Sequence, residues 1–178
     1  SEVDEVEKDI ERLLEELRER VKRVTDEIRK LNKELNETDT DIVRKIRELL
    51  ERLERDNKRE LVREVLKRVK ELADDSKRRV DKVLKDTERL IRELEKIVDE
   101  VEERVRRLVA EVLKRRKDDE EVKRRLEEVL RKVKRELDRI RDELRRVVEE
   151  SETNVRDVRR HTEEVVKEVE DEVRRLEK

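Results

Sequence analysis

The apolar residues in the last third of the chain recur at intervals of eighteen positions. Val122, Ile140, Val158 and Leu176 form one such series, and further Val and Leu series run beside it. Eighteen residues make about five turns of an α-helix, so each series stays on one side of a straight helix. Together the series cover an arc of roughly 100°, the width of a face that packs against a core. The pattern predicts an amphipathic helix from about residue 119 to 177.

The same interval organises the rest of the chain and predicts two more helices, at about 2–55 and 58–116. Three polar clusters lie inside the predicted helices, at residues 36–41, 74–76 and 151–154. Their Asn, Asp, Ser and Thr residues favour turns. The apolar face nevertheless resumes in the same phase after each cluster. We therefore interpret all three clusters as helical.

Two turns are predicted where the pattern does change. The apolar face jumps by roughly 140° after Asp56. There Asn57 either adopts a left-handed conformation or caps the next helix, with Glu60 as its reciprocal partner. Further on, the basic residues 114–117 are followed at once by the acidic residues 118–121. Cations favour the C-terminus of a helix and anions the N-terminus, so this change of sign marks one helix end and the next helix start.

Connections of two or three residues force neighbouring helices to be antiparallel. The sequence therefore predicts an all-α fold, an antiparallel three-helix bundle with long, nearly straight helices that form a single domain over 1–178. A net basic middle segment between two net acidic ones agrees with this arrangement. Two alternatives stay open. The chain could form five or six shorter helices that break at the polar clusters, or two long hairpins that pair between chains.

Composition excludes many classes of function. The chain has no Gly, Pro, Cys or aromatic residue, and 61% of its residues are charged. Without Cys there are no disulfides or thiolate metal sites. A net charge of −2 gives no long-range attraction to nucleic acid or to an anionic membrane, and no aromatic side chain is available to stack on bases. No apolar run is long enough to span a bilayer or to form a secretory signal. We expect a soluble protein whose cellular location is undetermined.

Six polar residues occupy positions in the apolar series. Antiparallel pairing places three of them in one cross-section of the bundle and two in another, with the sixth about one turn from the second group. We interpret both groups as buried, hydrogen-bonded layers. A misaligned layer leaves a buried polar group without a hydrogen bond, which lowers the stability of the fold by about 1–3 kcal/mol. Such layers therefore favour one register. The first group is Asp39, Ser76 and Thr162, and the second is Thr87 and Ser151, with Asn32 nearby.

A ligand or metal pocket built on Asp39 and His161 is the competing interpretation. It is poorly supported, because His161 is the only histidine and metal sites need several ligands at set spacings. His161 also lies about 40° outside the apolar arc, which predicts a boundary residue. Paired acid–base catalysis requires a desolvated carboxylate in a cleft, and a thin bundle offers none. We predict no catalytic, cofactor-binding or metal-binding residue.

These features together resemble a family of computationally designed proteins, the parametrically generated, untwisted three-helix bundles built on 18-residue repeats. The shared features are the eighteen-residue series, the glycine-free turns, the layers of hydroxyl and amide groups, and a surface of Glu, Lys, Arg and Asp. The resemblance implies a de novo structural scaffold of high stability, without catalytic activity. It also implies a monomer that requires no cofactor or partner, although self-association is possible. The alternative is an interaction module or rod-like spacer whose helices pair with a partner helix or with a second copy.

Overall fold

All 178 residues are described by a computed structural model of the chain, which consists of three α-helices and contains no strand. Helix α1 spans Glu2–Asp56, α2 spans Arg59–Arg115 and α3 spans Glu120–Glu177. Each helix end lies within one residue of its predicted position. The prediction of an all-α, three-helix fold is confirmed, and the alternative of five or six shorter helices is wrong.

The polar cluster at residues 36–41 remains helical because its threonine side chains can bond without leaving the helix. In α1 the Thr38 hydroxyl donates to the carbonyl of Glu34 over 2.9 Å, and the Thr40 hydroxyl donates to the carbonyl of Asn36 over 2.8 Å. A hydroxyl that returns to the preceding turn satisfies its donor locally. The turn propensity of these residues is therefore overridden by the helix that surrounds them.

The first turn consists of Asn57 and Lys58. Asn57 has a φ of 51°, which places it in the left-handed region, and its amide donates to the carbonyl of Leu53 over 3.2 Å. Asn tolerates this conformation better than most residues, and a left-handed residue closes the C-terminus of a helix. Of the two roles predicted for Asn57, the structure therefore shows the left-handed one.

The second turn has four residues, Arg116–Asp119, rather than the predicted two or three. Its last residue caps α3, because Asp119 Oδ1 accepts a hydrogen bond from the amide of Val122 over 3.2 Å. The start of α1 is capped similarly. Ser1 Oγ accepts from the amide of Asp4 over 3.3 Å and donates to Asp4 Oδ2 over 2.9 Å. These side chains satisfy amides that lack a partner within the helix.

The chain divides into two compact units. The first unit comprises Ser1–Glu27 and Glu88–Val148, and the second comprises Ile28–Thr87 and Glu149–Lys178. Each unit contains a segment of all three helices. Within each unit α2 runs antiparallel to α1 and α3, so each is an antiparallel three-helix bundle.

The core of the second unit contains two apolar clusters. The end cluster lies toward the first turn, and its most deeply buried members are Ile46, Leu53, Val65 and Val169. The inner cluster is smaller and consists of Leu35, Val80, Val83, Val155 and Val158. Burying one such side chain stabilises the fold by about 1.5–3 kcal/mol. These clusters supply much of the free energy that holds the three segments of this unit together.

The surface is covered by ion pairs at helical spacing. In α2 Arg106 Nη2 lies 2.7 Å from Glu102 Oε1, and Arg107 Nε lies 3.4 Å from Glu103 Oε1, each pair one turn apart. Exposed pairs of this kind contribute little, typically about 0.2–1 kcal/mol. None of the three helices has a stretch that is long and apolar enough to cross a membrane.

Candidate functional site

The Asp39 layer consists of one polar residue from each helix: Asp39 from α1, Ser76 from α2 and Thr162 from α3. All three side chains are buried. Ser76 Oγ donates to Asp39 Oδ1 over 3.0 Å, and Thr162 Oγ1 donates to the same oxygen over 2.8 Å. The two hydroxyl oxygens lie 3.4 Å apart. A single carboxylate oxygen thus links all three helices of the second unit.

The hydroxyl groups take the place of a basic partner for Asp39. Hydrogen bonds to a carboxylate are stronger than those between neutral groups. A buried carboxylate without such bonds is strongly unfavourable. Because Ser76 and Thr162 come from different helices, they reach Asp39 only when both helices are correctly aligned with α1.

The Asp39 layer separates the two apolar clusters of the second unit. Ile42 of the end cluster lies one turn after Asp39, and Leu35 of the inner cluster lies one turn before it. On α2, Leu72 and Val80 flank Ser76 in the same way. The layer thus takes the place of one set of apolar side chains inside the core.

The Asn32 layer lies beyond the inner cluster and consists of Asn32, Ser151 and Asn154. Asn32 Nδ2 donates to Ser151 Oγ over 3.0 Å and to the carbonyl of Ile28 over 2.8 Å. Ser151 Oγ donates to Asn32 Oδ1 over 3.3 Å, and Asn154 Nδ2 donates to the same oxygen over 3.0 Å. Ser151 is buried, whereas the two amides are half-buried. This layer joins α1 to α3.

Thr87 makes no hydrogen bond to either layer. Its side chain is only 5% exposed, and its hydroxyl oxygen has no hydrogen-bond partner. The sequence places Thr87 in the same cross-section as Ser151, but no direct bond joins the two hydroxyls. Thr87 is therefore a buried polar residue whose hydroxyl makes no hydrogen bond to another protein group.

The sequence analysis missed two polar residues. Asn154 belongs to the Asn32 layer, and its position three residues after Ser151 could have indicated this, because residues at that spacing share a helix face. Thr25 is 2% exposed, and its hydroxyl donates to the carbonyl of Lys22 over 3.0 Å. The available signal was that Thr25 lies eighteen residues before the apolar Val43.

His161, which was predicted to lie at the boundary of the apolar face, is exposed. It precedes Thr162, which points into the core, and consecutive helical residues are separated by about 100°. His161 therefore does not point into the Asp39 layer. No group of three or more His, Asp and Glu side chains is arranged to hold a metal ion.

The electrostatics of the first unit are dominated by cross-helix pairs on its surface. Arg125 Nη2 lies 2.8 Å from Asp4 Oδ1 and 3.0 Å from Glu7 Oε1. The hydrogen bond from Arg125, with a second one from Ser1, lowers the pKa of Asp4 to about 2. A shallow groove between α1 and α3 runs past these groups, and residues of both charges line it. A groove lined by paired opposite charges offers no desolvated carboxylate for acid–base chemistry.

A protein-family comparison matches residues 3–106, more than half of the chain, to a family described as Domain of unknown function (DUF7809). The chain belongs to this family. The description of the family names no activity, so membership assigns none to the chain. No curated protein matches the sequence.

A solved structure titled "Computationally designed three helix bundle" also aligns with the chain. The alignment covers 99% of this chain and 84% of that one, with 19% sequence identity and a TM-score of 0.30. A TM-score this low supports no argument about function or origin.

Proposed function

We propose that the chain is a structural scaffold of designed origin, without catalytic activity, in which buried polar layers set the register of the helices. The observation that carries this proposal is the Asp39 layer. One buried carboxylate oxygen accepts hydrogen bonds from Ser76 and Thr162, so all three helices meet at that point. Such a group favours the alignment in which both donors are present.

Outside the polar layers, the contacts between α1 and α3 in the second unit are similar in more than one alignment of the two helices. Arg29 Nε lies 3.5 Å from Glu150 Oε2, and Arg47 Nη1 lies 3.7 Å from Glu168 Oε2. The second contact repeats the first after eighteen residues on both helices. A slip of α3 by eighteen residues, with the helix ends beside the second turn unwound to span the shift, would therefore find similar partners on the surface and in the core.

The polar layer breaks this equivalence. A slip by eighteen residues would bring Leu144 to the place of Thr162 and leave Asp39 without one of its donors. Loss of a donor to a buried group costs about 1–3 kcal/mol, and more for a charged group. A few kcal/mol is enough to populate one register almost exclusively.

Composition and repetition support a designed origin. The chain lacks Gly, Pro and aromatic residues, and its apolar residues follow one eighteen-residue spacing throughout. As a scaffold the chain functions as a monomer and requires no cofactor, nucleic acid or membrane.

Cysteine pairs between α1 and α3 test the role in register. The chain has no native cysteine, so within one chain a disulfide can form only between the two introduced cysteines. Arg47→Cys with Glu168→Cys marks the observed register, and Arg47→Cys with Glu150→Cys marks the register displaced by eighteen residues. We expect only the first pair to form a disulfide in the otherwise unchanged chain. With Asp39→Leu, Ser76→Val and Thr162→Leu added, we expect both pairs to form disulfides.

A matched control is Arg29→Cys with Glu150→Cys, which should crosslink in both backgrounds and so show that a cysteine at position 150 is reactive. If the displaced pair stays reduced in the apolar background, the layer does not set the register. Sedimentation of the unmodified chain at a mass above one copy would contradict the monomeric scaffold, separately from the crosslinking result.

A further inference from the structure

Thr87 differs from Thr25, Thr38, Thr40 and Thr162 because its hydroxyl donates no hydrogen bond within the protein. The hydroxyls of Thr25, Thr38 and Thr40 each donate to a carbonyl of the preceding turn. Thr162 instead donates across the core to Asp39. The hydroxyl oxygen of Thr87 is buried but has no partner of either kind. A buried hydroxyl without a hydrogen bond is unfavourable by about 1–3 kcal/mol, so a polar partner is expected there.

The observed register shows what Thr87 faces. Ser76 on α2 lies beside Thr162 on α3, with their oxygens 3.4 Å apart. Thr87 is eleven residues after Ser76, and Ser151 is eleven residues before Thr162. Eleven residues are about three turns, so both helices return to the same face about 16 Å further along. Because α2 and α3 are antiparallel, both steps go in the same direction, and Thr87 faces Ser151.

Ser151 has one free position for a further hydrogen bond. A serine hydroxyl offers one donor and two acceptor sites. Ser151 uses its donor and one acceptor site with Asn32, at 3.3 Å and 3.0 Å. Its second acceptor site and the whole hydroxyl of Thr87 remain available, although the two oxygens are not directly bonded. Two polar groups that face each other in a buried place, with no direct bond, fit a bridging water molecule.

We propose that Thr87 and Ser151 bind one buried water molecule between α2 and α3. The water accepts a hydrogen bond from Thr87 Oγ1 and donates one to the free acceptor site of Ser151 Oγ. Thr87 thereby joins the Asn32 layer, which then connects all three helices of the second unit, as the Asp39 layer does. This inference does not depend on the proposed role in register, because the water can be present whether or not the layers select an alignment.

A crystal structure of the unmodified chain at atomic resolution tests the proposal directly. We expect a water at about 2.8 Å from both Thr87 Oγ1 and Ser151 Oγ. In solution the γ-methyl protons of Thr87 should show a nuclear Overhauser effect to water with the sign of a long-lived bound molecule. Density that shows no water, with the Thr87 hydroxyl bonded to Ser151 or to its own helix backbone, would overturn the proposal.

Three variants separate this water from general hydration of the core. Thr87→Val keeps the shape of the side chain but removes the hydroxyl, and should lose the bound water. Thr87→Ser keeps the hydroxyl and should retain it. Thr25→Val is the matched control, because the Thr25 hydroxyl is buried but bonded within its own helix. A bound water that persists unchanged in Thr87→Val would show that Thr87 does not hold it.

Discussion

Thr162 Oγ1 donates a hydrogen bond to Asp39 Oδ1 over 2.8 Å and so joins α3 to α1 inside the second unit. Ser76 of α2 donates to the same oxygen over 3.0 Å. Groups that share one acceptor are energetically coupled, and the effects of their substitutions are not additive. Removing one member of the layer and replacing the whole layer should therefore have opposite consequences.

The single substitution Thr162→Val should lower the free energy of unfolding by about 1–3 kcal/mol, because it removes one donor from a buried carboxylate. Urea denaturation measures this change. Thr25→Val is the control of equal chemistry, and its effect should be smaller, since the Thr25 hydroxyl donates only to the nearby carbonyl of Lys22. Equal losses in the two variants would contradict a special contribution from Thr162.

Replacing the whole layer with Asp39→Leu, Ser76→Val and Thr162→Leu should raise the free energy of unfolding. Well-packed apolar residues in place of a buried charged network often leave stability unchanged or raise it by about 1–4 kcal/mol, because no charge has to leave water. The same urea titration, applied to the triple variant, measures the gain. A clear loss of stability would show that the layer contributes more than an apolar tier of the same size.

The pKa of Asp4 should report the contact between α1 and α3 in the first unit. Its folded value of about 2 lies below the ordinary 3.8, because Arg125 donates to the carboxylate. A lowered pKa means that the stabilisation is present above about pH 4 and is lost as the pH falls through about 2. Carboxyl NMR titration should show the Asp4 pKa rising toward its ordinary value in Arg125→Gln. Arg12→Gln, which alters a pair with Asp9 instead, should leave it unchanged.

The left-handed conformation of Asn57 makes the first turn sensitive to side-chain shape. Asn57→Val should destabilise the fold by about 1–2 kcal/mol, because a β-branched residue fits poorly at a positive φ. Asn57→Gly should leave the stability nearly unchanged or raise it slightly, since Gly adopts this conformation without steric strain. Thermal unfolding of both variants measures these changes in stability. An Asn57→Val variant as stable as the unmodified chain would show that the turn relaxes to another geometry.

Core and surface apolar residues should respond very differently to truncation. Ile46 is fully buried in the end cluster, whereas Leu66 is 37% exposed. Ile46→Ala should lower the free energy of unfolding by about 2–5 kcal/mol through lost burial and the cavity that remains. Leu66→Ala should change it by less than about 1 kcal/mol. Similar losses at the two positions would indicate that Leu66 is covered in solution.

The helices could be located from the sequence because helix periodicity is a local property. An apolar residue eighteen positions from another lies on the same side, whatever packs against it, so Val122 and Ile140 could be assigned to one face without knowledge of the partner helices. The same argument held the polar cluster 36–41 inside α1, where the structure shows continuous helix. Turn propensity alone would have divided α1 there.

Other features depend on groups that are far apart in sequence, and only the tertiary structure decided them. Sequence offsets named Asp39 and Thr162 as neighbours, but the sharing of one carboxylate oxygen depends on side-chain rotamers set by all three helices. The participation of Asn154 and the isolation of the Thr87 hydroxyl arise in the same way. Periodicity determines which side of a helix a residue occupies, whereas a hydrogen bond requires atoms within about 3 Å, a precision that only the packed neighbours provide.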